Sequence, residues 1–89
     1  MTETIEVRRK RLIHRSRYTG MKETDLLLGR FAERYVPHFS AEQLDHYERL
    51  LEAPGPMIFA WVTGREPVPP EHQTEVMNLL QNFKHFIQP

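Results

Sequence analysis

The sequence predicts an all-α fold, a compact five-helix bundle, and three observations carry that reading. Apolar residues recur at helical spacing, strand-like alternation is absent over any useful length, and glycine and proline cut the chain into short segments. With 89 residues there is room for one domain, 1–89, whose ends at 1–7 and 87–89 are expected to fray. A domain this small hides only about 60–65% of the surface its unfolded chain exposes, so its core is modest.

The first helix is expected over about Thr4 to Tyr18, with Ile5, Leu12 and Ile13 as a thin apolar stripe and Gly20 as its terminator. A second starts near Thr24 or Asp25, either of which is a capping residue. It carries Leu27, Phe31 and Tyr35 at i, i+4 and i+8, with Leu28 and Ala32 beside them, and Pro37 stops it. Ser40 opens the third, and Gln43 three residues on completes a capping box. Leu44, Tyr47, Leu50 and Leu51 form its buried face, and Ala53-Pro54-Gly55-Pro56 breaks it. A short fourth helix holds Ile58, Phe59, Trp61 and Val62, with Gly64 as its stop. The fifth, about Pro70 to Phe86, has Val76, Leu79, Leu80, Phe83 and Ile87 on one stripe and a proline suited to its first turn.

Composition excludes several kinds of chemistry. There is no cysteine, so neither a disulfide framework nor a thiolate zinc site is available. The five histidines contain no H-x-x-x-H pair, which speaks against a histidine metal site. No nucleophile elbow, Walker loop or dinucleotide fingerprint is present, and four glycines cannot build a phosphate cradle. A binding module is expected rather than an enzyme. No apolar stretch nears the roughly 20 residues of a membrane span, and the N-terminus lacks the apolar run of a secretory signal. A cytoplasmic location is the resulting expectation, with an organellar one as the alternative if a targeting peptide has been removed.

Net charge is zero but unevenly placed. Residues 1–17 carry Arg8, Arg9, Lys10, Arg11, Arg15 and Arg17 against Glu3 and Glu6, a net +4, which leaves −4 on the rest. The basic run reads either as a contact surface for an acidic partner or as a solvated helix face. Nucleic acid is disfavoured, because the other basic residues are scattered and only Tyr18 lies near the run. Trp61 is either core or an interface anchor. The polar junction Arg17-Tyr18-Thr19-Gly20-Met21-Lys22-Glu23-Thr24-Asp25 is either a plain helix boundary or a corner that presents binding groups.

A resemblance adds to this reading. Arg11-Leu12-Ile13-His14-Arg15-Ser16, then Gly20-Met21-Lys22-Glu23-Thr24-Asp25-Leu26-Leu27-Leu28-Gly29-Arg30-Phe31-Ala32, then Leu50-Leu51-Glu52, Phe59-Ala60-Trp61-Val62-Thr63-Gly64 and the last helix resemble the succinate dehydrogenase assembly factors that promote covalent flavin attachment. The likeness runs from about Arg8 to Phe86, and the Asp25–Ala32 run looks most like alphaproteobacterial members. The family signature is Arg-Gly-x-x-Glu. Gly20 and Glu23 match it, while Thr19 stands at the arginine position and offers neither charge nor a bidentate fork.

The resemblance implies a five-helix chaperone that binds the flavoprotein subunit of succinate dehydrogenase, or of fumarate reductase, and holds its signature turn near the flavin. It implies a partner-binding surface of Arg15, Arg17, Tyr18, Thr19, Gly20, Met21, Lys22, Glu23 and Asp25, and no catalytic or metal-binding residue. It implies no stably bound cofactor, FAD being the group attached to the partner, and no membrane insertion; the free chain is expected to be a monomer. The competing reading is a helical adaptor or antitoxin-like protein with a different partner.

Overall fold

Thr4 opens the first helix, α1 (Ile5–Arg15), its hydroxyl accepting the Val7 amide at 3.2 Å. The computed structural model describes residues 3–83. α1 is shorter than the sequence suggests. It ends at Arg15, with the Ser16 amide closing on the Leu12 carbonyl, so Gly20 lies beyond the helix and does not terminate it. Only Leu12 of its expected stripe is fully buried. Ile13 packs at the core's edge, and Ile5 is exposed.

Polar contacts hold this helix instead. Arg8 reaches Asp45 at 2.6 Å and Glu48 at 3.0 Å, and Arg11 bridges Glu3 and Glu48 at 2.8 and 2.9 Å. The Arg11 hydrogen bond draws the Glu3 carboxyl below its ordinary pKa, and the same carboxylates raise Arg8 and Arg11. A lowered carboxyl stabilises the fold above its unfolded pKa and loses that contribution as pH falls through the folded value. Behind the pairs, Ser16 Oγ donates to the Leu12 carbonyl at 2.7 Å, which leaves the Tyr47 phenol to donate to Ser16 at 2.6 Å. Complete burial raises the Tyr47 pKa, against a smaller opposing effect of the Ser16 bond.

α2 (Lys22–Tyr35) begins two residues before Thr24 and three before Asp25, and Met21 at its N-cap supplies no side-chain acceptor. Neither Thr24 nor Asp25 caps it; both lie inside its first turns and bond elsewhere. Its Leu27, Leu28, Phe31 and Ala32 are buried as the periodicity requires. Phe31 sits among Tyr35, Phe39, Tyr47 and Phe83 with ring centroids 5.0–6.0 Å apart. Pro37 then forces a single 3-10 turn, Val36–His38.

α3 (Ala41–Leu50) starts on the expected capping box: Ser40 Oγ accepts the Gln43 amide at 3.2 Å, and the Gln43 side chain accepts the Ser40 amide at 2.9 Å. Replacing Ser40 with alanine should cost about 1 kcal/mol and lower the melting midpoint by roughly 4–8 °C, readable by circular dichroism. α4 (Gly55–Val62) follows, with Pro54 at its N-cap. It ends in the two-bond glycine closure, Arg65 N to Ala60 O at 2.9 Å and Gly64 N to Trp61 O at 3.3 Å, with Gly64 at φ +81°. Trp61 is buried and lies 5.1 Å from the His72 ring, so the structure places it in the core.

Pro70 does not open the last helix. It begins a 3-10 turn, Pro70–His72, and α5 (Glu75–Phe83) starts after Thr74, whose hydroxyl accepts the Met77 amide at 3.3 Å. Val76, Met77, Leu80 and Phe83 are buried and Leu79 is half-buried. Residues 84–86 of the expected helix, and Ile87, lie outside the described residues. α2 packs against α1 and α4, and α3 against α1 and α5, while α4 also meets α5. The described residues thus form an all-α bundle of five helices with no strand among them.

Candidate functional site

The α1–α2 junction is a corner whose two flanks are held and whose tip is free. After Ser16, Arg17 N and Tyr18 N close on the His14 and Arg15 carbonyls at 3.2 and 3.0 Å, continuing the turn one step beyond the helix. The chain then reverses at Gly20, where φ is +93°, a conformation that L side chains rarely adopt. A Cβ added there would meet nothing within 4 Å, so the glycine is demanded by backbone conformation and not by crowding.

On the near flank, Asp25 Oδ1 accepts both the Thr19 amide at 2.5 Å and the Thr19 hydroxyl at 2.6 Å. On the far flank, buried Thr24 donates to the Gly55 carbonyl at 2.9 Å, tying the first turn of α2 to the start of α4. Gly55 also makes room for the corner: a Cβ on it would lie 3.0 Å from Thr19 O and Oγ1, and 3.3 Å from Met21 Cβ.

Gly20, Lys22 and Glu23 are exposed, and neither the Lys22 nor the Glu23 side chain has a partner recorded among the described residues. Glu23 occupies the first turn of α2, where a carboxylate favours the positive end of the helix. Three large apolar side chains are exposed on the segments that build the corner. Tyr18 is 69% exposed, Leu26 46% and Met57 39%, and each lies within two residues of a group that touches Thr19. The sequence reading included Tyr18 but missed Leu26 and Met57. Leu26 is exposed inside an otherwise buried leucine run, and only the helix phase set by Leu27 and Phe31 reveals that.

The arginines near the corner have contacts within the bundle. Arg15 donates to the Leu51 carbonyl at 3.1 Å, at the C-terminal end of α3, and Arg17 pairs with Glu33 while its stem lies against Gly29. Arg9 bonds the Phe39 carbonyl at 2.7 Å, and Arg8 and Arg11 are paired as above. Five of the six basic residues between 8 and 17 therefore have internal partners. Arg8, Arg11 and Arg17 face carboxylates, while Arg9 and Arg15 bond neutral carbonyls and keep their full charge, so the basic run is anchored to the bundle. An open groove of about 330 Å³ runs beside the corner, lined by Arg17, Asp25, Leu26, Gly29, Arg30 and Glu33.

A small helical domain with an exposed corner hydrogen-bonded at its base has the form of a docking module. Comparison with known proteins gives the family. The chain belongs to the family described as "Flavinator of succinate dehydrogenase", whose model matches residues 10–84. It is 43% identical over 81 residues to succinate dehydrogenase assembly factor 2-B, mitochondrial, of Drosophila yakuba, covering 89% of this chain and 52% of that protein. It is 43% identical over 83 residues to succinate dehydrogenase assembly factor 2, mitochondrial, of Debaryomyces hansenii, covering 89% and 58%. The Scheffersomyces stipitis protein of the same name is 47% identical over 68 residues, covering 76% and 46%. The chain thus spans about half the length of the curated relatives it matches.

These names overturn the cytoplasmic location expected from the sequence, because the matched relatives are named as mitochondrial proteins. The absence of a signal-like apolar run in the first residues carries no information about compartment in a chain that covers half of its relatives.

Proposed function

We propose that this chain binds the flavoprotein subunit of succinate dehydrogenase and promotes covalent attachment of FAD to it. The observation that supports this most is the family match over residues 10–84, which spans the whole Gly20–Glu23 corner. The corner supplies a physical route. A rigid tip with free Lys22 and Glu23 side chains enters the partner, and Tyr18, Leu26 and Met57 bury apolar area around it. Thr19 and Asp25 hold the base of that tip, Met21 lies near Gly55 at the start of α4, Arg15 bonds the Leu51 carbonyl and Arg17 pairs with Glu33.

The chain acts without forming the bond itself. The attacking group and the flavin both belong to the partner complex, and FAD is its cofactor rather than one this chain retains. Holding reactive groups in one geometry removes part of the entropic barrier to their reaction. The related flavoprotein of fumarate reductase is a second client under this reading, and the free chain is a monomer.

The test is attachment in vitro: apo-flavoprotein and FAD with and without this chain, the covalent product read by in-gel flavin fluorescence. The chain should raise the rate, and an unchanged rate rejects the proposal. Glu23→Ala should lower the stimulated rate at least tenfold. Its effect on stability should stay within about 0.5 kcal/mol, as for an exposed side chain without partners. A normal rate with this variant would remove Glu23 from the site.

A further inference from the structure

We propose that Asp25 and Gly55 are positioning residues for the docking corner, Asp25 latching Thr19 from α2 and Gly55 buttressing it from α4. The proposal rests on the docking role given above but assigns Asp25 differently: it shapes the corner instead of contacting the partner.

The geometry is specific. One carboxylate oxygen of Asp25 takes two donors from the same residue, the Thr19 amide and hydroxyl, at 2.5 and 2.6 Å. Asp25 and Thr19 are both half-buried, so these bonds compete weakly with water. On the opposite side, α4 begins at a glycine, where any side chain would crowd the Thr19 backbone. Any Cβ at Gly55 would stand 3.0 Å from the Thr19 carbonyl oxygen, and that backbone atom cannot swing aside as a flexible side chain would. The buried Thr24 hydroxyl fixes the separation by bonding the Gly55 carbonyl at 2.9 Å.

Thr19 is therefore held from two helices, one residue before Gly20, whose own Cβ position is open. A loop fixed at its base and unencumbered at its tip loses little conformational freedom on docking, and this raises affinity without adding a contact. Gly55 lies 35 residues from Gly20 in sequence, and local reading marks it only as a helix breaker.

The test compares Asp25→Ala, Asp25→Asn and Gly55→Ala in the full chain. Two readouts are used: hydrogen exchange of the Thr19 amide by NMR, and calorimetric affinity for the apo-flavoprotein. Asp25→Ala should speed Thr19 exchange and weaken binding, each at least tenfold, with far-UV helicity unchanged. Asp25→Asn keeps an oxygen acceptor and should stay within threefold of the original chain on both. Gly55→Ala should weaken binding about fivefold.

If Asp25→Asn falls as far as Asp25→Ala in affinity while Thr19 exchange stays slow, Asp25 is an ionic contact to the partner and the latch is wrong. Unchanged exchange and affinity in Asp25→Ala would overturn it equally, and unchanged affinity in Gly55→Ala would remove the buttress. Should the original chain itself fail to bind the flavoprotein, the docking role fails, and the Thr19 exchange rates alone then decide the latch.

Discussion

Gly20→Arg should abolish binding to the flavoprotein while the helical bundle survives. Placing an L residue in the left-handed region costs about 1–2 kcal/mol. A domain of this length carries roughly 4–13 kcal/mol of stability. Because nothing stands within 4 Å of the Gly20 Cβ position, no steric term adds to the backbone strain. The expected fall in melting midpoint is therefore roughly 5–15 °C, with native helicity at 20 °C. The arginine side chain, by contrast, projects from the tip that enters the partner, and affinity should drop more than a hundredfold. Gly20→Ala separates the two contributions, since it shares the strain and lacks the bulk. It should melt like Gly20→Arg yet bind within about thirtyfold of the original chain, the most that about 2 kcal/mol of strain can supply at about 1.4 kcal/mol per decade. If Gly20→Arg loses its helicity instead, Gly20 is a folding determinant and the corner is not the docking tip.

That expectation could be framed from the sequence, because a glycine between two helical patterns is a local signal. Periodicity likewise located Leu27, Phe31, Leu44, Tyr47 and Leu80 in the core, and the Ser40–Gln43 pair announced its own capping box. What local reading could not supply depends on contacts distant in the chain. Thr24 has the chemistry of a cap, yet its hydroxyl is used 31 residues away on Gly55. The Arg8 and Arg11 charges look like an unpaired run until Asp45 and Glu48, 37–40 residues on, come opposite them.

Thr19 was misjudged at short range. Against the family signature it is a missing charge, and in the structure it is the inward-facing end of the Asp25 latch. The start of α5 departs from the expectation for a local reason. Pro70 suits a first turn, but Gln73 at ψ 75° interrupts the helical path and Thr74 provides a working cap.

Phe31→Ala should produce the complementary result, a large loss of stability with the docking corner intact. Phe31 has no exposed surface and is the hub of the aromatic cluster, meeting Tyr35, Phe39, Tyr47 and Phe83. Truncating such a residue costs about 3–5 kcal/mol, through lost transfer energy and the cavity left behind. That is a third or more of the total for a domain of this size unless it lies at the stable extreme. The urea midpoint should fall with the slope unchanged, as expected when the surface exposed on unfolding stays the same. Tyr47→Phe is the control: it removes a hydroxyl and leaves the ring, and Ser16 still bonds the Leu12 carbonyl, so the loss should be near 1 kcal/mol. Measured at 10 °C on the folded fraction, Phe31→Ala should keep its affinity for the flavoprotein within about threefold. The reason lies in how the corner is held. Its restraints run through Asp25, Thr24 and Gly55, two turns of α2 and one helix start away from the cavity, and none of them uses the Phe31 ring. A parallel collapse of affinity and stability would mean that the corner's shape is inherited from the aromatic core and not from those three residues.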